Sequence, residues 1–171
     1  MRKVLITIGS LILVSLVIYI WSWQEVNIKT NKYYDDAIKS YESGDYMAAL
    51  KGKGSSGLET SSISKGGFQN VVQAWSVPYA VPKPAEYNEA LRKIDELINQ
   101  KLTIELGEKI YDKYVGVDDT YLPQVMIRIG DMYKEKGDVE KAGLWYNLAI
   151  ENYSLYGDVK QLAENRLNSL K

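Results

Sequence analysis

With no His and no Cys among its 171 residues, this chain has no imidazole to carry protons and no thiol to attack a carbonyl or hold zinc. Carboxylate, serine, lysine and tyrosine chemistry remains. Two adjacent acid pairs, Asp35-Asp36 and Asp118-Asp119, are of the type used in general acid–base catalysis. Both lie in short polar stretches where acids start helices or fill turns, and no other group converges on them. A Ser–Lys dyad would have to be assembled in space without a motif to mark it. The stretch "GKGSSG" at 52–57 has phosphate-loop residues without the G-x4-G-K-[ST] spacing or a preceding strand. Residues 51–67 therefore read as a flexible linker. Oxygen-ligand metal binding has no EF-hand spacing behind it. The expectation is a protein that is not an enzyme and needs no metal or cofactor.

The strongest element is N-terminal. After Arg2 and Lys3, "VLITIGSLILVSLVIYIWSW" runs through residues 4–23 without a charge. As a helix, with 1.5 Å rise per residue, that covers about 30 Å, the thickness of a bilayer's hydrocarbon core. Tyr19, Trp21 and Trp23 gather at its far end, where amphipathic rings settle at the lipid–water interface. A cleaved signal peptide would have a shorter apolar run ending in small residues. Residues 1–23 are read as a cytoplasmic stub and transmembrane anchor, with the lipid bilayer engaged through residues 4–23. Both residues flanking the run on the N-terminal side are basic, whereas "QEVNIKTNKYYDD" beyond it is mixed. The positive-inside rule then puts the N-terminus in the cytoplasm and the remainder outside, in the periplasm or at the cell surface. That remainder carries 19 basic and 22 acidic residues, so neither nucleic acid nor anionic lipid is an expected electrostatic partner.

Beyond the anchor, apolar residues recur with helical period. Ile28, Ala37, Ile38 and Tyr41 mark a helix over 28–43. Ala90, Leu91, Ile94, Leu97 and Ile98 share one face over 85–98, and Leu106, Ile110, Tyr111 and Tyr114 do so over 102–114. At the C-terminus Val159, Leu162, Ala163, Leu167 and Leu170 form a stripe over 158–170, with Asp158 as its expected N-cap. The fold class is all-α.

Between these, residues 123–156 carry a spaced set: Met126, Ile129, Gly130, Tyr133, Gly137-Asp138, Ala142, Tyr146 and Ala149. Glycine inside a helix costs about 1 kcal/mol relative to alanine, so Gly130 implies a neighbour that must approach closely. The set resembles the tetratricopeptide repeat (TPR), a 34-residue helix–turn–helix unit. The resemblance implies small residues where the two helices cross, Tyr133 and Tyr146 beside them, Gly137 ending the first helix and Asp138 capping the second. Met126 stands where the family usually has Trp, and Ser154 where it often has Pro. Residues 24–50 echo the motif: Ala37, Gly44-Asp45 and Ala49 repeat the offsets of Gly130, Gly137-Asp138 and Ala142. The echo stops at Lys53, where an aromatic is expected.

Residues 51–84 then form a Gly/Ser/Pro-rich insertion. Within it Phe68, Val71, Val72 and Trp75 stand at i, i+3, i+4 and i+7, followed by "SVPYAVPKP", which Pro78, Pro82 and Pro84 hold extended. This short helix either takes the place of the degenerate repeat's second helix or docks a partner through Trp75 and Tyr79.

The expected architecture is a single membrane anchor, a short TPR-like array of helical hairpins (an α-solenoid) over 24–50 and 85–171, and the 158–170 helix as its cap. The resemblance implies a surface for other proteins on the first helix of each repeat, here Gln124, Ile127, Asp131 and Lys134, and a role as scaffold or assembly factor for a membrane or envelope complex. A permanent accessory subunit of such a complex is the alternative; an enzyme using carboxylate or Ser/Lys chemistry is a third reading. A cytosol-facing protein of a eukaryotic organelle is a fourth, since the charge argument rests on two residues.

Overall fold

The computed structural model describes residues 2–54, 66–78 and 80–170. Among the described residues the regular structure is helical, in eight α-helices and one π turn: α1 (Arg2–Glu42), α2 (Tyr46–Lys51), α3 (Phe68–Ala74), α4 (Ala85–Glu96), the π turn (Leu97–Lys101), α5 (Ile104–Tyr114), α6 (Leu122–Glu135), α7 (Val139–Asn152) and α8 (Gly157–Asn168).

The apolar run and the 28–43 helix are one element. No Gly or Pro falls between Gly9 and Gly44, so nothing breaks the backbone ladder, and α1 continues for 41 residues, about 60 Å. Its first part, from Ile6 to Ile20, is exposed on all sides, while Thr30, Ala37 and Ser40 on its second part are buried. It is long and apolar enough to cross a membrane.

The same turn closes α1 and α6. Gly44 and Gly137 adopt φ of +79° and +80°, a left-handed conformation cheap only for glycine. In each case the glycine N–H donates to the carbonyl three residues back, and the next aspartate N–H to the carbonyl five back: Gly44 to Tyr41 and Asp45 to Ser40, Gly137 to Lys134 and Asp138 to Tyr133. This is a Schellman stop. Asp45 and Asp138 then cap the following helix by accepting from Ala48 N and Lys141 N, each at 3.1 Å. At α8, by contrast, the expected cap is corrected: the helix begins at Gly157 with Tyr156 as its N-cap residue, and Asp158 lies inside the first turn.

After the first of these turns the second helix is cut short. α2 has six residues and α3 seven, against fourteen in α7. The chain leaves at Gly52 and is back beside it at Gly67, where an added Cβ would stand 2.5 Å from the Leu50 carbonyl oxygen and 2.6 Å from the Lys51 carbonyl carbon. α3 then packs on α1, α2 and α4, its Phe68 and Val71 wholly buried. The 51–67 stretch, of which 55–65 lie outside the described residues, therefore interrupts a helix and leaves the packing to resume on its far side.

From α4 onward α4 packs on α3, α6 on α5 and on the π turn, α7 on α6, and α8 on both α7 and α6. One continuous core runs from Ala37 and Leu50 through Ile94 and Ile110 to Tyr146 and Ala163. Close approaches set its spacing. A Cβ at Gly130 would be 2.7 Å from Cδ1 of Tyr146, and one at Gly107 would be 2.6 Å from Cγ1 of Ile129.

Candidate functional site

Two regions gather polar side chains into defined geometry. The first is a cleft of about 240 Å³ between α4, α6 and α8. Its floor is aliphatic: Ile94 and Ile98 are 3% and 5% exposed and Ile127 5%, with Leu91 and Leu162 at the mouth. Asp95, Asn99, Gln124, Arg128, Asp131 and Arg166 surround that floor, and Lys134 and Glu135 extend the polar side into an adjoining cleft.

Much of this rim is tied down. The Tyr146 hydroxyl donates to Asp131 Oδ1 at 2.7 Å, and the same oxygen meets Arg166 Nε at 3.1 Å. Burial and that carboxylate both push the Tyr146 phenol well above its ordinary pKa. Arg128 pairs with Glu135 at 2.8 Å, yet its buried Nε has no hydrogen-bond partner. Lys134 Nζ donates to Ser169 Oγ at 2.9 Å. Three acids and three bases balance, leaving an apolar slot with alternating charge along its edge.

Of the residues expected to meet a partner, Gln124 is exposed at this rim, Ile127 forms the floor, and Asp131 and Lys134 are engaged within the molecule. Trp75 requires correction. It is 1% exposed, donates from Nε1 to Thr30 Oγ1 at 3.0 Å and meets Trp23 edge-on at 5.5 Å, so it holds α3 to α1 and offers no free anchor. Tyr79 lies outside the described residues. The contributions of α4 and α8 to the cleft are not predicted by the sequence reading. Their signal is the helical spacing of Leu91, Asp95 and Ile98, and of Leu162 and Arg166, which shows a shared face without showing what it faces.

The second region surrounds Lys51. Its side chain is fully buried, and Nζ donates to the carbonyls of Asp118 at 2.7 Å and Thr120 at 2.6 Å, with Asp118 Oδ1 at 3.7 Å and the Tyr114 ring centroid at 5.1 Å. Gln69 donates to the other Asp118 carboxylate oxygen. Asp119 accepts from Gly116 N at 3.1 Å. Burial lowers the Lys51 pKa to about 8, the nearby Asp118 and Asp119 carboxylates opposing it. An ammonium ion thus organises the 116–121 loop, and the Asp118-Asp119 pair sits in that turn, bonded to Gly116 N, Thr120 N and Gln69. No protein family, curated protein or solved structure matches this chain. Among the described residues no group of three or more His, Cys, Asp or Glu converges as a metal site.

Proposed function

We propose that this chain is a membrane-anchored, TPR-like interaction module in which α1 crosses the bilayer with its N-terminus in the cytoplasm. In this reading the second part of α1 pairs with α2 and α3 and α6 pairs with α7, while α5 backs α6 and α8 caps the array. The recurrence of one Schellman-and-Asp turn at Gly44-Asp45 and Gly137-Asp138 supports the pairing, as does the packing of α1 on α2 and α3 and of α6 on α7.

The observation that carries the functional reading is the cleft. α4, α6 and the cap α8 converge on an aliphatic floor with a charge-balanced rim, a shape that takes a helix or extended segment of another protein by its apolar side chains. The module would hold or assemble components of a membrane or envelope complex.

A photo-crosslinking residue at Gln124 in the full-length chain, in its native membrane, tests this. The expected result is a discrete protein adduct at 124 and none at Asp112, which is exposed on α5 away from the cleft. Equal labelling at both positions, or adducts at 112 alone, overturns the assignment of the cleft.

A further inference from the structure

The segment following α3 sits at an unexpected height. Because α1 is unbroken from Arg2 to Glu42, position along it measures depth, and Tyr19 lies four residues, about 6 Å, inside the Trp23 end of the apolar run. The Tyr19 hydroxyl donates to the Val81 carbonyl, and Trp23 Nε1 donates to the Pro82 carbonyl at 2.8 Å. Helix side chains lean toward the N-terminus, so these bonds hold residues 81 and 82 no shallower than the last turn of the run.

The composition matches that height. From Gln73 to Pro82 there is no charge, and Val77 and Val81 are 38% and 54% exposed. Backbone donors, the usual obstacle to entering lipid, are partly removed or met among the described residues of this segment. Pro78 and Pro82 have none, Ala80 N donates to Val77 O at 3.1 Å, and Val81 N donates to the Tyr19 hydroxyl at 3.3 Å. Lys83, the first charge after the segment, is exposed and stands over the Tyr87 ring at 4.2 Å. Behind the segment an apolar cavity of about 170 Å³ opens between Trp23, Val26, Trp75 and Val77.

Resting on the reading that α1 crosses the bilayer, we infer that Val77, Pro78, Ala80, Val81 and Pro82 make a second membrane contact, lying at the headgroup–acyl boundary beside the helix, with the lipid surface as occupant. Two bonded points of contact fix how the helical domain stands on the bilayer, where a single helix would let it swivel.

The lack of native cysteine makes single-site labelling clean. Full-length Val77→Cys and Val81→Cys, carrying nitroxide labels, would be placed in nanodiscs of 3:1 phosphatidylcholine and phosphatidylglycerol. Collisions with oxygen, which favours lipid, would be compared with those of a water-soluble nickel chelate. Leu13→Cys serves as the reference for the span and Leu155→Cys, 95% exposed, as the reference for water. The expected result is loss of nickel collisions with retained oxygen collisions at 77, 81 and 13, and the reverse at 155. Nickel access at 81 equal to that at 155, with 13 in lipid, overturns the inference while leaving the anchor intact. Shielding of 81 from both agents would mean that protein covers it and also overturns the inference. Nickel access at 13 would remove the span itself.

Discussion

The ring of Tyr146 rests against the backbone of Gly130, with Cδ1 2.7 Å from where a Cβ would lie, and its hydroxyl reaches one residue further to Asp131. Gly130→Ala must push this ring aside inside a core where both residues are fully buried. Overpacking of this kind costs about 1–3 kcal/mol, which outweighs the roughly 1 kcal/mol that alanine returns as a better helix former. Urea titration of the full chain in mild detergent, followed by far-ultraviolet circular dichroism, should show the loss. With Tyr146→Leu in the background, the same change should become neutral or favourable, a non-additivity expected only of residues in contact.

Lys51 predicts an unusual response to alkali. Below pH 8 it is charged in both the folded and the unfolded chain, and the cost of burying it is fully present. Between about pH 8 and its ordinary 10.5 the folded chain releases the proton first, the unfolded chain binds more protons, and stability rises. Above pH 10 phenols held up by hydrogen bonds and burial, such as Tyr133 at about 12, reverse the slope, because there the unfolded chain ionises first. The urea midpoint should therefore climb from pH 8 to 10, and Lys51→Met should abolish the climb. A flat wild-type profile over that interval would rule out the buried ammonium.

The paired turns should cost the same to damage. Gly44→Ala and Gly137→Ala each force a Cβ into the left-handed region, at about 1–2 kcal/mol, and neither meets any neighbouring atom that would add to it. Removing the caps, Asp45→Ala and Asp138→Ala, should cost about 1 kcal/mol each. Thermal midpoints of the four variants test whether the two turns bear equal weight; indifference to change at Gly44 alone would make the likeness superficial.

Since the chain returns at Gly67 to the point it left at Gly52, shortening the excursion should be tolerated. Replacing residues 54–65 by two glycines leaves α2, Lys51 and α3 in place, and loop closure changes by only about 0.6 kcal/mol per halving of length. A urea midpoint within about 1 kcal/mol of the parent is expected. Collapse of the fold would show that the excised residues contribute contacts of their own.

Trp75 serves as an internal bolt, so its truncation is predicted to act on stability. Trp75→Ala should cost about 3–5 kcal/mol, whereas Trp75→Phe keeps most of the ring and loses the bond to Thr30. Crosslinking at Gln124 by the phenylalanine variant should match the parent; its loss in a variant that remains folded would return Trp75 to the binding surface.

Local features of this fold are legible in the chain. The uncharged run of residues 4–23, the helical stripes, the stop at Gly137 with its capping Asp138, and the close approach implied by Gly130 all rest on interactions within a few residues or on the composition of one face. The sequence reading went astray where the deciding partner was distant or the alternatives locally equivalent. Asp158 and Tyr156 both precede the same stripe, and the helix begins early enough to make Tyr156 its cap residue. The anchor and the 28–43 helix read as two segments, but no residue between them interrupts backbone hydrogen bonding, and α1 runs through both.

At other positions the local signal did not name the partner. Lys51 resembles a linker lysine until two carbonyls 67 and 69 residues further on close around it. Trp75 fits either a packed helix face or a partner anchor until Thr30 and Trp23 claim it. The cleft requires α4, α6 and α8 together. Sequence by itself determined helicity, the apolar run and the turns, because those are short-range backbone and solvation preferences. Tertiary structure alone decided which faces meet, which charge is buried, and that residues 81 and 82 hang beside Tyr19 and Trp23, because such contacts depend on the packing of the whole chain and leave no periodic trace in any one segment.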